Sequence, residues 1–330
     1  MPAAPPSARD HGLPDYDLVI AGGGLAGSAL ATALADSRLR IALLEARPAP
    51  APAIVVAPAT GGDARSLAIS LASKAILRSL GCWPQLAAAA APIERIHVSE
   101  RGRIGSVQLT AADLGRTVLA HVVPAAHLLA VLQRRLAAQH NLRRLQAARL
   151  VAIEPGADRV RLRVACADGE CRLRTRLLVL ADGSDSAGCR LAGIPVRCHD
   201  YRQTALLAEV TPAYPQPGLA LERFTPQGPV AVLPLPRGRC KLVLTLPAET
   251  AETGPGLDED AFLRLAEARL GPRMGRLVAA GPRTAYALHS RWAALPVRGR
   301  VVAIGNAATC LHPNAAQGFN LCLREIAQLA

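Results

Sequence analysis

Apolar and polar positions follow two rhythms along this chain. Asp15–Ala21 (DYDLVIA) is a near-continuous apolar run that predicts a buried parallel strand, and residues 40–45 (RIALLE) predict a second. Between them, residues 22–27 read as a turn and residues 25–36 as a helix of small apolar residues. Residues 48–58 form a Pro/Ala-rich loop, and 66–80 predict a helix ended by Gly81. Strict alternation returns at 93–99 and 104–110, with Arg101-Gly102 between them, which predicts a hairpin. Residues 124–139 predict a helix with proline in its first turn. Short antiparallel strands are expected at 150–153, 160–165 and 171–174, then a buried strand at 177–181 that runs into Asp182-Gly183. The stretch 203–246 is strand-rich and punctuated by Pro and Gly. A helix at 261–270, a last buried strand at 301–305 and a helix from 319 to 330 complete the pattern.

This order of elements predicts an α/β fold with interleaved parts. A Rossmann-like dinucleotide-binding domain is assembled from 15–92, 111–194 and 284–330. A mainly antiparallel sheet, 93–110 with 195–283, is inserted into it. Residues 1–14, Pro/Ala-rich and polar, are expected to be a disordered tail. The chain shows no internal repeat.

The first chemistry on the chain is Gly22-x-Gly24-x-x-Gly27, placed after a strand and at the start of a helix. In that setting the first glycine allows the tight turn, the second lets backbone approach a pyrophosphate, and the third permits close helix–strand packing. The helix N-terminus offers free N–H groups to the phosphates. Glu45 ends the next strand, 23 residues after Gly22, where a carboxylate can accept from ribose hydroxyls. The combination points to a dinucleotide but does not by itself separate FAD from NAD.

Composition narrows the alternatives. At 51% hydrophobic the 330-residue chain can bury a core, and with only 3% aromatics that core must be Leu, Val, Ile and Ala. The net charge of +13 comes from scattered arginines rather than basic blocks with interleaved aromatics, so nucleic-acid binding is not expected. None of the eight cysteines forms a C-x-x-C pair and no H-x-x-x-H spacing occurs, so no metal site is expected. Cys166 and Cys171 bracket Asp168-Gly169, a candidate hairpin tip, and reduced thiols are the default without a signal peptide. No run of 18 apolar residues exists to span a membrane. The expected location is cytoplasmic, with any membrane contact peripheral at the inner face.

Four stretches carry a resemblance. They are DYDLVIAGGGLAGSALATAL (15–34), DARSLAIS (63–70) with VSERGRIGSVQL (98–109), LVLADGSDSAGCRLAGI (178–194), and VVAIGNAATCLHPNAAQGFNLCLREIAQLA (301–330). Together with ERFTPQGPVAVLPLPRGRCKLV (222–243), they make the chain similar to the group A flavoprotein aromatic monooxygenases. Within these it most resembles the ubiquinone-biosynthesis hydroxylases, in particular the 2-polyprenyl-6-methoxyphenol hydroxylase branch.

The resemblance implies an FAD-binding domain with an inserted substrate domain, and cofactor roles for particular residues. Arg65 matches an arginine that reaches the flavin region. Asp182 and Gly183 match the Asp-Gly motif linked to the FAD pyrophosphate and to the nicotinamide donor. Gly305 and Asn306 match a Gly-Asp whose aspartate binds the ribityl hydroxyls; an amide can donate and accept there. Pro313, Gln317, Gly318 and Asn320 match the loop and helix start beside the flavin ring, with His312 just before them. The family pattern reads Gly-Gln-Gly where this chain has Ala316-Gln317-Gly318. An alanine there is strained if the position needs positive φ. Cys322 replaces a usual glycine and is expected to crowd the flavin, and Ala287 stands where the branch commonly has proline. Further helices are implied beyond residue 330.

The activity implied is hydroxylation of the aromatic ring of a polyprenyl phenol in ubiquinone biosynthesis, with FAD, NAD(P)H and O2. The hard chemistry belongs to the cofactor, so no side chain is assigned as catalytic acid or base. The implied partners are a hydrophobic phenolic substrate and a peripheral membrane or biosynthetic-complex contact. Three alternatives stay open: a related hydroxylase with another aromatic substrate, a plain FAD-dependent dehydrogenase or reductase, and a non-catalytic flavin-binding subunit. Ser184, Asp185 and Ser186 lack a Gly-x-Ser-x-Gly elbow and are not read as a hydrolase site. Trp83 and Trp292 are read as packing or pocket residues, and Asp36, Asp63 and Glu94 as capping or surface groups.

Overall fold

The computed structural model describes residues 14–47, 65–251 and 256–330. The expected tail (but for Pro14), the loop at 48–58 and Asp63 lie outside the described residues.

The opening unit is as the pattern predicts: β1 (Asp15–Ala21), α1 (Leu25–Ala33) and β2 (Ile41–Glu45). β1 and β2 are parallel, with Ile20 opposite Leu43. Both are almost wholly buried, as strands of a sheet covered on both faces must be. The chain continues through β3 (Ser66–Ser70), α2 (Leu71–Ser79), α3 (Trp83–Leu86) and β4 (Ala91–Ile93). The helix expected over 66–80 therefore begins five residues late. Residues 66–70 pair antiparallel with a later strand, Ser66 opposite Pro124. The Ser70 hydroxyl accepts from the Ser73 N–H at 3.2 Å and so fixes the helix start at Leu71.

The predicted hairpin is β5 (Arg95–Glu100) and β6 (Ser106–Thr110). β7 (Ala120–Pro124) follows, then α4 (Ala125–Ala137), then β8 (Leu142–Gln146), parallel to β2. The pattern does not predict β7 or β8. Next come β9 (Arg149–Glu154), β10 (Val160–Cys166) and β11 (Gly169–Leu180). The two strands expected at 171–174 and 177–181 are one continuous β11. Its first half pairs antiparallel with β10 and its second half parallel with β1. At the β10–β11 tip, Cys166 and Cys171 form a disulfide with Cα atoms 6.3 Å apart, in place of the expected free thiols. The register that sets Cys166 opposite Gly169 and Val164 opposite Cys171 brings the two within bridging reach.

After α5 (Ala187–Ala192) the chain enters the inserted sheet. Its strands are β12 (Val196–Pro212), β13 (Leu219–Phe224), β14 (Val230–Pro234) and β15 (Cys240–Pro247). α6 (Ala248–Ala251), α7 (Glu259–Leu270), β16 (Leu277–Ala280) and β17 (Thr284–Ala293) follow. β18 (Val297–Arg298), β19 (Val301–Ala303), β20 (Thr309–Cys310) and α8 (Gly318–Leu329) close the chain. β17, expected in the dinucleotide-binding part, pairs along β12 in the inserted sheet.

Three sheets result. The first runs β18-β19-β11-β1-β2-β8, with β10 on β11 and β9 on β10. Helices α1, α4 and α8 cover one face through Leu30, Leu128, Leu132, Leu323 and Ile326. The second runs β20-β17-β12-β15-β14-β13-β5-β6, with β16 on β12. α7 seals one face of it: Phe262, Leu263 and Ala266 pack on Leu206, Leu242 and Leu244. Complete burial of Phe262 stabilises by about 1.5–3 kcal/mol. The third, β3-β7-β4, bridges the other two. The uncovered face of the second sheet looks across a cleft at the carboxyl ends of β1, β2 and β11, where ligands bind in open parallel sheets.

Candidate functional site: a dinucleotide cradle open to an apolar sheet

At the end of β1 the backbone turns sharply. Gly22 has φ +116°, and a Cβ on it would lie 2.6 Å from the Ala181 carbonyl carbon and 2.8 Å from the Asp182 nitrogen. The ends of β1 and β11 thus approach as closely as backbone can. A Cβ on Gly27 would overlap the Gly22 carbonyl oxygen and sit 3.1 Å from Ile20 Cγ2, so this glycine lets α1 lie against its strand. Gly24 differs: nothing lies within 4 Å of its Cβ position. Its φ of −73° and ψ of −165° are ordinary extended backbone, and no side chain caps α1 behind it. The open space is the cleft, on the axis of an uncapped helix N-terminus.

The loop is held from behind. The Gly23 carbonyl accepts from Ser28 Oγ at 2.9 Å and from Gln133 Nε2 of α4 at 3.0 Å. Gln133 is itself gripped by Arg144 of β8. Glu45 closes the loop on its other side. A Cβ on Gly23 would lie 2.7 Å from Glu45 Oε2, and Glu45 Oε1 accepts from the Arg47 N–H at 3.0 Å. Asp182 faces the start of α5: Oδ1 accepts from Ser186 Oγ at 2.5 Å and Oδ2 from the Gly188 N–H at 2.8 Å. It orders the turn beside the loop, while Gly183, φ +91°, lines the cleft.

At the other end Arg65, Asn306, Pro313 and Gly318 line the same cleft, together with His312, Ala316 and Cys322. Gly305 lies just behind, its N–H donating to Glu325 Oε2 at 2.8 Å. Ala316 has φ +48° and ψ +32°, so this position does take positive φ, in an alanine. Asn320 is buried and its amide is spent on backbone: Oδ1 accepts from the Ser70 N–H at 3.0 Å, and Nδ2 donates to Ala68 O at 2.8 Å and Ala316 O at 3.0 Å. Gln317 is the N-cap position of α8 and is exposed. Gly27, Gly305, Gln317 and Asn320 therefore shape the cleft without lining it, and the other nine expected residues line it. Cys322 is buried against Gly305, its Sγ 3.0 Å from that glycine's Cβ position. Burial, then the Glu325 carboxylate, pushes its thiol up to about 12, so it stays neutral.

The cleft, about 890 Å3, continues onto the open face of the second sheet. There Ala205, Leu207, Ala231, Leu233, Val243 and Leu288 line it. Polar residues missed by sequence reasoning share this wall: Glu222, Lys241, Thr245, Tyr286 and His289. The alternation of β13 and β15 carries the signal that could have found them. Lys241 stands in line with Val243, and Glu222 with Ala220, on the face away from α7. Lys241 Nζ lies 3.8 Å from Glu209 Oε1. Among the described residues, no group of three His, Cys, Asp or Glu could hold a metal ion.

These residues fit FAD. The open space at Gly24, on a helix axis, suits a phosphate, and the same cleft runs on to the apolar wall of the second sheet. Fold and site together define a dinucleotide-binding flavoprotein whose cofactor cleft opens on an antiparallel substrate sheet. The sequence family described as the FAD binding domain matches residues 15–330. A ubiquinone hydroxylase of Rhodospirillum rubrum, UbiL, is 33% identical over 317 residues, 95% of this chain and 71% of that protein. The 3-demethoxyubiquinol 3-hydroxylase of Escherichia coli is 31% identical over 315 residues, 94% of this chain and 77% of that one. The crystal structure of the p-nitrophenol 4-monooxygenase PnpA of Pseudomonas putida shares the fold, with TM-score 0.76 at 18% identity, over 96% of this chain and 79% of that chain. The chain belongs to the FAD-binding domain family and, within it, to the FAD-dependent hydroxylases of ubiquinone biosynthesis.

Proposed function

We propose that this chain hydroxylates the ring of a polyprenyl phenol, taking electrons from NAD(P)H and oxygen from O2. The observation that carries the reading is the continuity of the cleft: the dinucleotide cradle at Gly24 and the apolar wall of β12, β14 and β15 are one space. Bound FAD supplies oxygen activation. The protein holds it, orients the ring and excludes water. Gly22, Gly24 and the α1 N-terminus hold the pyrophosphate, Glu45 the ribose, and Asn306 the ribityl chain. Arg65 and the α8 N-terminus, with its partial positive charge, favour negative charge at the flavin ring. The Leu and Val side chains of the sheet take the prenyl tail.

Such a substrate resides in lipid, so the reading includes a cytoplasmic protein in peripheral contact with the membrane or with a biosynthetic complex. No helix of the described residues is long and apolar enough to cross a membrane. The test is oxygen uptake and NAD(P)H oxidation by the yellow, FAD-loaded protein with short-chain prenyl phenols and with simple hydroxybenzoates. Hydroxylated product from the prenyl phenols in step with oxygen uptake is expected. Product from hydroxybenzoates alone overturns the substrate class, and NAD(P)H oxidation without any hydroxylated product overturns the reaction.

A further inference from the structure

Glu222 lies mid-strand on β13, between Val98 of β5 and Ala231 of β14. The opposite face of this sheet is the α7 core, where Leu219 and Leu221 pack. Glu222 therefore points the other way, into the cleft, where its wall-mates are Ala231, Leu233 and Val243. A carboxyl is an unusual choice for that wall. Among the described residues its buried Oε1 has no hydrogen-bond partner and the side chain forms no ion pair. A buried polar atom left bare is a standing cost to the fold, so its use must lie with something that enters the cleft. A carboxylate oxygen can only accept, and the one proton an electron-rich phenol offers is on its hydroxyl.

We propose that Glu222 is the group that takes the hydroxyl proton of the phenolic substrate as the ring is oxygenated. The inference rests on the hydroxylase reading above. In the step, the phenol O–H bond breaks, its electron pair stays on the phenolic oxygen, and the proton bonds to the Glu222 carboxylate; nothing is oxidised or reduced. The ring then carries the electron density of a phenolate and is the stronger nucleophile. The proton returns to the hydroxyl oxygen of the product, which restores the carboxylate for the next turnover.

The electrostatics suit the task. Burial raises the Glu222 carboxyl to about 7, where a base accepts a proton readily and is still largely ionised just above neutrality. The other charged and titratable groups of the cleft near the ring end are Lys241 on β15, Tyr286 and His289 on β17, Cys310 on β20, His312 in the loop before α8, Cys322 on α8, and Arg65. The flanking residues of β5 and β14, Val98 and Ala231, carry no charge. His97, next to Val98, is in register with Leu221 and so faces the α7 side.

The test uses the FAD-loaded protein and 4-nitrophenol, a phenol whose ionised form is coloured, read as a difference spectrum against the holoenzyme. A phenol and a carboxyl that share a proton titrate as a coupled pair. Bound nitrophenol should therefore ionise in two steps in the wild type and in one step in Glu222→Gln, with its dissociation constant changed less than threefold. With a prenyl phenol, Glu222→Gln should lose about 100-fold or more in hydroxylation rate. It should also lose the rise of that rate through neutral pH, and Glu222→Asp should recover part of both. Identical one-step titrations in the two proteins, or no saturable nitrophenol binding, overturn the proposal. If the wild type hydroxylates no phenol, the function reading falls, and the nitrophenol titration still decides the role of Glu222.

Discussion

Two glycines two residues apart should respond in opposite ways to the same added methyl. In Gly22→Ala the backbone must hold φ +116° with a Cβ that lies 2.6 Å from the Ala181 carbonyl carbon. Holding that conformation costs about 1–3 kcal/mol, and the overlap adds about 1–3 kcal/mol. The variant should lose roughly 2–6 kcal/mol; at an unfolding entropy of about 2.1 cal/mol/K per residue this lowers Tm by about 3–9 °C. In Gly24→Ala no atom lies within 4 Å of the new Cβ, and φ −73° suits alanine. Stiffening the unfolded chain gains about 0.4–1 kcal/mol, and alanine is the poorer N-cap by a similar amount. The apo-protein Tm should therefore stay within about 1 °C. The methyl instead enters the opening on the α1 axis proposed above for the pyrophosphate. FAD affinity should fall at least about tenfold, or about 1.4 kcal/mol. Apo-protein melting and quenching of flavin fluorescence on titration read the two quantities separately. If Gly24→Ala binds FAD within threefold of wild type, the pyrophosphate does not lie over Gly24. If it melts with Gly22→Ala, the space there is not open.

Ala316→Gly removes a left-handed alanine at φ +48°. Relief of about 1–2 kcal/mol less an unfolded-state cost of about 0.4–1 kcal/mol leaves a gain of about 0–1.6 kcal/mol, seen as a higher denaturant midpoint with unchanged slope; a lower midpoint refutes the strain. Asn320→Ala strands the Ser70 N–H and the Ala68 and Ala316 carbonyls, and should cost roughly 2–4 kcal/mol of stability in the apo-protein as much as in the FAD-loaded one. A loss confined to the loaded protein would mean that Asn320 serves the cofactor directly. Acid should destabilise the fold early. His97, His121 and His312 all have pKa values lowered from 6.5, each chiefly by burial. The folded state holds them neutral, so their contribution is present above 6.5 and is lost as pH falls below it and through the lowered folded values. Glu222, raised by burial to about 7, works in the opposite sense over the same window, so the drop in Tm between pH 7 and 5 should be read in Glu222→Gln, where adding His121→Gln should flatten it; a flat profile in Glu222→Gln would show these rings to be free to charge.

The parts of the fold written in local pattern were legible, and the parts written in distant pairing were not. The βαβ opening announces itself because its strands are buried on both faces and its turn needs Gly22. Residues 66–70 carry no such mark. SLAIS flows into a helical pattern, and only its pairing with β7, some fifty residues on, makes it a strand. β8 (LRRLQ) is arginine-rich and barely alternates, and its place beside β2 decides it. The same distinction runs through the site. Glycines could be assigned by what backbone needs, and Glu45 by its spacing. Glu222 and Lys241 look like solvent-face residues of alternating strands until the fold turns that face into a cleft.

The flavin end shows why motif residues and contact residues differ. Residues 305–320 were read as a set that touches the cofactor. The structure splits them. Asn306, Pro313 and Gly318 line the cleft, while Asn320 and Glu325 reach backward from α8. Asn320 ties β3 and the Ala316 carbonyl to the helix start, and Glu325 takes the Gly305 N–H. α8 is in turn fixed by Leu323 and Ile326 in the core shared with α1 and α4. The helix whose N-terminus lines this end of the cleft is thus the same body that sets Gly305 and β3. A family pattern at these positions records the requirement to build the wall as well as the requirement to touch the ligand. This also accounts for how Cys322 is tolerated. Its sulfur sits 3.0 Å from where a Cβ on Gly305 would be, so the extra volume takes up the space that glycine leaves, at the edge of the cleft Cys322 lines.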